Sequence, residues 1–333
     1  MKAMILKSPK PVEANPLEIF ELPIPQPGSD DIRIRVGVCG VCHTDLHIAE
    51  GELVPKQSQT IPGHQIVGEV ENIGTHVSRF QIGDKVGVTW LYSACGQCDF
   101  CHSGKENLCD RAQFTGYHKD GGYAEYVVVP ADYAHRIPAG FPDTQAAPLL
   151  CAGVIGYRSL QLCEIQPGQR LGLYGFGASA HVTIQVARFW DCEVYVFTRS
   201  ESHRKHAREL GAVWVGSAEE EPPHKMDSSI IFAPAGVLVP EALRVLKKGG
   251  TLAINAVHMS PIPEMPYNLI YFERTVRSVA NCTRQDAVEL LKLAAEIPIH
   301  TDVEVAHFSE ANQVLQRLKK AEIRGAAVLK LRE

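Results

Sequence analysis

The sequence predicts an α/β protein with an additional all-β domain, because the pattern of the chain changes at about residue 150. Before this point, Gly and Pro separate short β-branched runs, which is typical of a loop-rich all-β domain. After it, strand-like apolar runs alternate with helical segments, and this alternation indicates parallel βαβ units. A chain of 333 residues is also too long for one ordinary core and suits two domains.

The individual elements follow from these runs. Predicted strands in the first part are residues 32–38, 66–71, 85–89 and 123–129, and in the second part 170–174, 193–197, 229–232 and 251–256. Predicted helices are 146–162, 181–190, 203–210 and 240–246, the last ending at a Gly-Gly pair at 249–250 that resembles a C-cap. Amphipathic helices at 284–296 and 309–320 and a strand at 326–331 close the chain, and we expect them to return to the first domain.

Composition and charge exclude several classes of function. The net charge of −5 and the absence of a Lys/Arg block argue against nucleic acid and anionic membrane as partners. No uninterrupted apolar run approaches the ~18 residues that a membrane span needs, and no signal peptide is evident. We therefore expect a cytoplasmic protein, and in such a chain ten cysteines indicate metal binding rather than disulfides.

The densest group of cysteines has the spacing C-x2-C-x2-C-x7-C. Four thiolates surround Zn²⁺ tetrahedrally and leave no position open, so such a site is structural. A pair of disulfides and an iron–sulfur cluster are the alternatives, but ferredoxins continue with C-x3-C-P, unlike this chain. The sequence favours a structural zinc lobe at about residues 93–110, with the ligands Cys95, Cys98, Cys101 and Cys109.

A glycine-rich loop follows the predicted strand 170–174 and begins a predicted helix. Gly175 permits a tight turn, Gly177 lets a pyrophosphate approach the backbone, and Ala180 permits close packing of helix on strand. The anion would lie at the helix N-terminus. The pattern predicts dinucleotide binding, with an ordinary strand-to-helix turn as the alternative.

The next predicted strand indicates which dinucleotide binds. An NAD-binding site carries Asp or Glu at the strand tip for the ribose hydroxyls, whereas this strand is followed by Thr198, Arg199 and Ser200. A guanidinium beside two hydroxyls suits a 2′-phosphate, so NADP(H) is favoured and NAD(H) remains possible. A solvated Arg199, or a longer strand that brings Glu201 to the tip, would remove this argument.

A second group of candidate metal ligands mixes thiols and imidazoles, a combination that suits Zn²⁺. Spacing alone does not choose between Cys39 and Cys42, or among His43, His47 and His64.

The order of motifs resembles that of the zinc-dependent medium-chain alcohol dehydrogenases. The chain carries CGVCHTD-x-H, PGH-x-IVGEV, the four-cysteine loop, LLCAG and GFGASAH in that order, so the resemblance spans nearly its full length. It implies a GroES-like catalytic domain at 1–152 and 281–333 and a Rossmann dinucleotide-binding domain at 153–280. It also implies two Zn²⁺ per chain and hydride transfer between an alcohol or aldehyde and nicotinamide.

The resemblance further implies roles for single residues. Cys42, His64 and Cys151 would bind the catalytic zinc and leave its fourth position open. Asp45 would orient the His64 imidazole. Thr44 would receive the alcohol proton, His47 would pass it towards solvent, and His43 would lie near the cofactor pyrophosphate.

Two positions bear on reactivity and on the substrate. The family usually has Glu directly after the histidine ligand, whereas this chain has Gln65. Loss of that negative charge should make the metal somewhat more electrophilic, or alter ligand exchange where the carboxylate serves as a transient ligand. Trp90 resembles the bulky residue that narrows the pocket in members acting on short primary alcohols, although it could simply pack in the core. Leu53, Tyr117 and Val257 are further pocket candidates.

We therefore expect an enzyme acting on primary alcohols and aliphatic or aromatic aldehydes. Two alternatives are a non-zinc quinone or enone reductase of the same superfamily and a non-catalytic nucleotide-binding scaffold. The family forms dimers and tetramers, so a homo-oligomer is expected, with residues 251–256 and the following loop as a plausible interface.

Overall fold

The computed structural model describes residues 1–297 and 299–332 and divides into two compact units. The first unit comprises Met1–Cys151, Asn281–Glu296 and the residues from His300 onwards, and the second comprises Ala152–Ala280 with Ile297 and Ile299. Residues 298 and 333 of the predicted segment 281–333 lie outside the described residues.

The strands, in chain order, are β1 Lys2–Leu6, β2 Leu17–Glu21, β3 Asp31–Val41, β4 Gln65–Ile73, β5 Lys85–Val88, β6 Leu91–Ser93, β7 Gln113–Phe114, β8 Tyr126–Pro130, β9 Ala134–Arg136, β10 Arg170–Tyr174, β11 Glu193–Phe197, β12 Trp214–Gly216, β13 Met226–Ile231, β14 Leu246–Ile254, β15 Thr275–Ser278, β16 Val303–His307 and β17 Ala326–Lys330. The α-helices are α1 His43–Glu50, α2 Asp99–His102, α3 Asp143–Ala146, α4 Ala152–Leu162, α5 Ala178–Phe189, α6 Glu201–Glu209, α7 Leu238–Arg244, α8 Arg284–Glu296 and α9 Ala311–Lys319.

The first unit is built on a mainly antiparallel sheet with the order β16-β17-β3-β4-β5-β9, in which β8 also pairs with β3. The long strand β3 pairs with β8 in its first part and with β17 at its end. Its apolar residues Ile32, Ile34 and Val36 are fully buried. The pairing of β17 with β3 brings the end of the chain back to the first unit, as the sequence predicts.

The second unit is a parallel sheet with the order β12-β11-β10-β13-β14-β15. Counted from β10, this order is 3-2-1-4-5-6, the doubly wound arrangement of Rossmann domains. The strand order reverses beside β10, and ligands of such sheets bind at the carboxyl ends of the strands at this point. The predicted fold class, α/β plus all-β, is confirmed.

The predicted helix at 146–162 is wrong as a single element. The chain forms α3, then a 3-10 turn at Ala147–Leu150, and enters α4 only after Cys151, whose φ of −133° and ψ of −72° are not helical. Pro148 within the segment has no N–H to donate and so weakens a continuous helix. The break places Cys151 between two helical segments.

The prediction around the Gly249–Gly250 pair also needs correction. Helix α7 ends at Arg244, and Gly249 adopts a φ of +72° within the limits of β14 rather than capping the helix. Strand β14 lies between β13 and β15, and its Leu252 and Ala253 are fully buried. An interface at residues 251–256 and the following loop stays a prediction.

Candidate metal centres and cofactor loop

Three potential metal ligands from distant parts of the first unit meet at one point. Sγ of Cys42 lies 3.3 Å from Nε2 of His64 and 3.9 Å from Sγ of Cys151, and all three donor atoms lie within 4.8 Å of one another. A tetrahedral zinc ion, with bonds of about 2.3 Å to sulfur and about 2.0 Å to nitrogen, places its ligand atoms about 3.5–3.8 Å apart. The spacing of these donors therefore fits zinc.

Local structure brings each donor to this point. Cys42 caps the N-terminus of α1, and its backbone N–H donates to Oδ2 of Asp45 at 3.0 Å. His64 directly precedes β4 and is fully buried. Cys151 occupies the break between the 3-10 turn and α4, where its side chain is free of helical constraints. Three donors leave one position of a tetrahedral ion for water or substrate.

The Asp45 carboxylate lies behind His64. Its Oδ1 is 3.4 Å from Nδ1 of His64 and accepts the backbone N–H of Gly63 at 3.0 Å. At 3.4 Å the contact with the imidazole is longer than a good hydrogen bond, but it is made on the ring nitrogen that faces away from Cys42. An outer carboxylate of this kind fixes the orientation and tautomer of a metal-binding imidazole.

The electrostatics of the cluster favour a cation. Burial opposes a charge on His64, yet Cys42 and Asp45 raise the pKa of its imidazole to about 10. The Cys151 thiol and the His64 imidazole lower the pKa of Cys42 well below that of a free thiol. A bound metal ion would supply that positive charge, and a ligating imidazole would then be neutral.

The alternatives left open by spacing lie outside this cluster. Cys39 is fully buried in β3, and burial raises the pKa of its thiol. His43 is exposed on the first turn of α1 and His47 lies on its last turn, at a ring distance of 6.4 Å from each other. Among the residues that the structure describes, Cys42 and His64 are the members of the two sets that converge with Cys151.

Thr44 and His47 extend from the cluster along α1. The Thr44 hydroxyl is within hydrogen-bonding reach of Cys42 and, after Cys151 and His64, contributes to lowering the pKa of that thiol. His47 pairs through Nδ1 with the exposed carboxylate of Glu52. Glu52 is a partner that sequence reasoning missed, although its place five residues after His47, just beyond the helix, was a signal.

An aromatic layer lies against His64. The Trp90 ring meets the His64 ring edge-on at 4.8 Å and stacks on Phe114 at 5.2 Å and on Tyr117 at 5.9 Å. Trp90 is only half-buried, whereas Tyr117 is buried and donates its hydroxyl to the Val54 carbonyl at 2.9 Å. Of the other pocket candidates, Leu53 packs against the core of the first unit and Val257 is 74% exposed in the second.

The side chain of Gln65, on β4, lies against Gly40 of the neighbouring strand β3. It is buried, and a Cβ on the paired residue Gly40 would lie only 2.9 Å from its side chain, so glycine provides the space for it. Its effect on the metal stays a prediction.

The four cysteines of the predicted lobe form a second cluster. Sγ of Cys101 is 3.8 Å from Sγ of Cys95 and 3.6 Å from Sγ of Cys98, and with Cys109 all four thiols lie within 4.8 Å of one another. The N–H of Gln97 donates to Cys95 at 3.4 Å and lowers the pKa of that thiol to about 5. Four sulfur donors at these separations fit a closed tetrahedral zinc site.

An ion pair between buried Glu106 and half-buried Arg284 anchors this lobe, and sequence reasoning missed it. Oε1 of Glu106 accepts both the backbone N–H and the Nε–H of Arg284, at 3.1 and 3.2 Å, at the start of α8. The pKa of the Glu106 carboxyl is lowered by backbone and Arg284 hydrogen bonds, which outweigh the effect of its burial. The lobe is thereby tied to the part of the chain that returns to the first unit.

The glycine-rich loop lies at the point where the parallel sheet reverses its order. Gly175 follows β10 with a φ of +86°, a conformation that favours glycine. Gly177 is the N-cap of α5, and no atom lies within 4 Å of the place where its Cβ would be. Ala180 is fully buried beneath the first turn. Open space over a helix N-terminus is what a pyrophosphate requires.

The tip of β11 carries the residues predicted to select the cofactor. The strand ends at Phe197, and Glu201 is the first residue of α6, so the longer strand considered above does not occur. Arg199 is exposed. The Ser200 hydroxyl caps α6 by accepting the His203 N–H at 3.4 Å, which uses part of its bonding capacity.

Arg204 supports this tip and was missed because it lies one turn into α6. Its Nε donates to the Thr198 carbonyl at 2.9 Å, and its Nη2 lies 3.7 Å from Glu220. Thr198 is buried by this arrangement.

Comparison with known proteins agrees with the fold. The model of the alcohol dehydrogenase GroES-like domain matches residues 28–139, and that of the zinc-binding dehydrogenase matches residues 180–296. The chain is 44% identical to a probable alcohol dehydrogenase, AdhA, of Mycobacterium tuberculosis (strain CDC 1551 / Oshkosh), over 99% of this chain and 97% of that protein. It is 35% identical to an alcohol dehydrogenase of Geobacillus stearothermophilus, over 95% of this chain and 96% of that protein.

A solved structure is similar over the same extent. The structure of a cinnamyl alcohol dehydrogenase from Sorghum bicolor matches with a TM-score of 0.90 and 28% identity, covering 99% of this chain and 97% of that one.

The two folds and the zinc-compatible donor sets define a metal-dependent dehydrogenase of the medium-chain type. The chain belongs to the zinc-dependent medium-chain alcohol dehydrogenase family and is an oxidoreductase. The predicted family and enzyme class are confirmed. Among the described residues, no helix is long and apolar enough to cross a membrane.

Proposed function

We propose that this enzyme interconverts primary alcohols and their aliphatic or aromatic aldehydes, with NADP(H) preferred to NAD(H). The observation that carries the proposal is the three-donor cluster of Cys42, His64 and Cys151, which fits a catalytic zinc with one open position. The first unit would be the catalytic domain and the second the cofactor domain. The cluster also argues against a non-zinc enone reductase, which needs none of these three ligands.

Each chain would hold two zinc ions. The three-donor cluster leaves a position for substrate, whereas the four-cysteine cluster leaves none and would be structural. When bound, the catalytic zinc supplies a Lewis acid for the substrate oxygen and the nicotinamide carries the hydride.

The residues of α1 would manage the proton. The Thr44 hydroxyl lies beside Cys42 and would accept the proton that an alcohol loses on oxidation. His47, one turn further along α1 and partly open to solvent, would pass the proton outwards. Its contact with the Glu52 carboxylate would hold the imidazole in place for that transfer.

Residues of two loops in the second unit would bind the cofactor phosphates. Gly175 and Gly177, with the N-terminus of α5, offer open backbone to the pyrophosphate. Thr198 and Arg199 follow β11, and the exposed guanidinium suits a 2′-phosphate. Of the two hydroxyls, that of Ser200 would contribute least, since it already caps α6. His43 would assist at the pyrophosphate, as the resemblance implies.

The aromatic layer would set the substrate size. Trp90 lies against a proposed zinc ligand and presents a half-buried ring backed by Phe114 and Tyr117. A rigid indole at this position would favour small or flat substrates over branched ones.

Two further proposals concern the state of the enzyme. We propose a reducing, cytoplasmic environment, since both clusters require free thiols and no disulfide is formed by the described cysteines. We also propose a homo-oligomer, either a dimer or a tetramer, which light scattering of the purified protein would test.

The test of the function is a comparison of initial rates for reduction of a short aldehyde with NADPH and with NADH, on enzyme of measured zinc content. A kcat/KM at least about tenfold higher with NADPH would support the 2′-phosphate site. A preference for NADH would overturn that assignment and leave the zinc dehydrogenase standing. Absence of turnover with either cofactor, at full zinc content, would overturn the proposed substrate class.

A further inference from the structure

Tyr123 is a fully buried tyrosine close to the catalytic cluster, with no role in the mechanism above. Its backbone is held on both sides. The N–H donates to the Pro62 carbonyl at 3.0 Å, and the carbonyl accepts the Met4 N–H at 2.8 Å. The position of its ring is thus set by β1 and by the segment that leads directly to His64.

The ring packs against Gly63, the residue before the proposed ligand. Gly63 has a φ of +94°, and a Cβ at this residue would lie 2.4 Å from Cδ1 of Tyr123 and 2.8 Å from Sγ of Cys39. The absence of a side chain at Gly63 lets the Tyr123 ring support the backbone there. That same backbone donates its N–H to Oδ1 of Asp45.

The hydroxyl of Tyr123 is the unusual feature. It meets the geometric criteria for a hydrogen bond with none of the described residues, although it is fully shielded from solvent. The Asp45 carboxylate lies nearby, since it accepts the N–H of Gly63, against which the Tyr123 ring packs. Burial and then the charge of Asp45 raise the pKa of Tyr123 well above that of a free tyrosine. An unmet buried hydroxyl is costly and points to a nearby acceptor.

The Asp45 carboxylate can accept a further hydrogen bond from the Tyr123 hydroxyl. Its oxygens accept the N–H groups of Cys42 and Gly63 and face Nδ1 of His64. A carboxylate offers about four acceptor positions, so one more donor can be accommodated. A neutral hydroxyl would stabilise this buried charge without competing with the imidazole for a proton.

We propose that Tyr123 is a positioning residue of the catalytic metal site, its hydroxyl donating to Asp45 and its ring supporting Gly63, so that both fix the His64 imidazole. This inference rests on the proposed function of His64 as a zinc ligand. Without the hydroxyl, the Asp45 carboxylate turns more freely and the imidazole is held less well. Loss of outer partners of metal ligands typically weakens metal binding about 10–100-fold.

The variant Tyr123→Phe tests this, because it keeps the ring and removes only the hydroxyl. Tyr174→Phe is the matched control, since Tyr174 is also fully buried with a hydroxyl that has no hydrogen-bond partner among the described residues, but lies in the second unit. The measurement is the rate at which the zinc-loaded protein transfers each zinc to a chromogenic chelator. We expect one zinc of Tyr123→Phe to leave about 10–100-fold faster, with the other unchanged and with Tyr174→Phe behaving as the wild type.

A double-mutant cycle separates positioning from general loosening. If Tyr123 acts through Asp45, adding Tyr123→Phe to Asp45→Asn should accelerate zinc loss much less than it does in the wild type. The d–d spectrum of the cobalt-substituted Tyr123→Phe enzyme should also shift, which a purely structural role would not cause.

Unchanged zinc release in Tyr123→Phe, or an equal effect in the Asp45→Asn background, would overturn the proposal. A wild-type protein that holds only the structural zinc would overturn the proposed function itself, and is distinguished by its metal content before any variant is made.

Discussion

Sγ of Cys151 lies 3.9 Å from Sγ of Cys42, although 109 residues of sequence separate the two cysteines. The proximity depends on the helix break at Cys151, which turns its side chain towards the N-terminus of α1. A continuous helix through Cys151 would have fixed this side chain by helical geometry instead. The site therefore depends on a local departure from regular structure.

Cys151→Ser should abolish turnover and reduce the zinc content from two ions per chain to one, because a serine hydroxyl is a poor ligand for zinc. The fold should persist, so circular dichroism should be unchanged and the melting temperature only slightly lower. Steady-state rates and metal analysis check this. Cys163→Ser, a buried cysteine outside both clusters, is the control, and an equal loss of zinc in it would contradict the assignment.

Cys98→Ser should mainly lower the stability of the protein. It removes one of four thiolates from the closed cluster, so the lobe at residues 93–110 should loosen and the melting temperature should fall by several degrees. Thermal unfolding with and without added zinc is the measurement. Full zinc content together with an unchanged melting temperature would show that this cluster is not a structural zinc site.

His135 should make the protein sensitive to acid. Burial, with the charges of Arg79 and Arg284, lowers the pKa of His135 to about 4 in the folded protein, below the usual 6.5. Because the unfolded chain takes up this proton first, the stability is fully present above pH 6.5 and is lost as the pH falls towards 4. The loss amounts to about 2 kcal/mol at pH 5.

His135→Leu removes the titrating group and should flatten the dependence of the unfolding free energy on pH within this window. Denaturant unfolding of the wild type and the variant at several pH values checks this. The reference is pH 8, at which His135 is neutral in both the folded and the unfolded wild type. Parallel curves for the variant and the wild type would contradict the prediction.

Arg199→Ala should lower kcat/KM for NADPH by about tenfold or more and leave that for NADH nearly unchanged, since only NADPH presents a 2′-phosphate. Arg208→Ala is the control, because Arg208 is also a surface arginine but lies at the end of α6, paired with Glu201. If both variants lost the same activity with NADPH, general electrostatic attraction rather than a specific site would explain the preference.

Trp90→Ala should shift the substrate preference towards bulkier alcohols, because the indole beside His64 would no longer limit the pocket. We expect kcat/KM for a branched or aryl alcohol, relative to a short one, to rise by about tenfold. Trp90→Phe keeps an aromatic face and should fall between the two. A uniform loss with all alcohols would indicate that Trp90 only supports His64.

The sequence alone determined the architecture and most candidate ligands. The spacing of apolar residues along the chain predicts strands and helices, because a strand and a helix each bury side chains at a characteristic interval. Strand β10, for example, has the predicted bounds. The four clustered cysteines were predictable because their ligand atoms are close along the chain.

Only the tertiary structure decided the rest. Spacing could not choose Cys42 over Cys39 or His64 over its neighbours, and the family resemblance alone implied that choice. The convergence of these donors with Cys151 depends on strand pairing and on a helix break far along the chain. The support of Asp45, the Glu106–Arg284 pair and the burial of Tyr123 are likewise contacts between distant segments. Such contacts form where the packed core places side chains, and local sequence patterns carry no record of that placement.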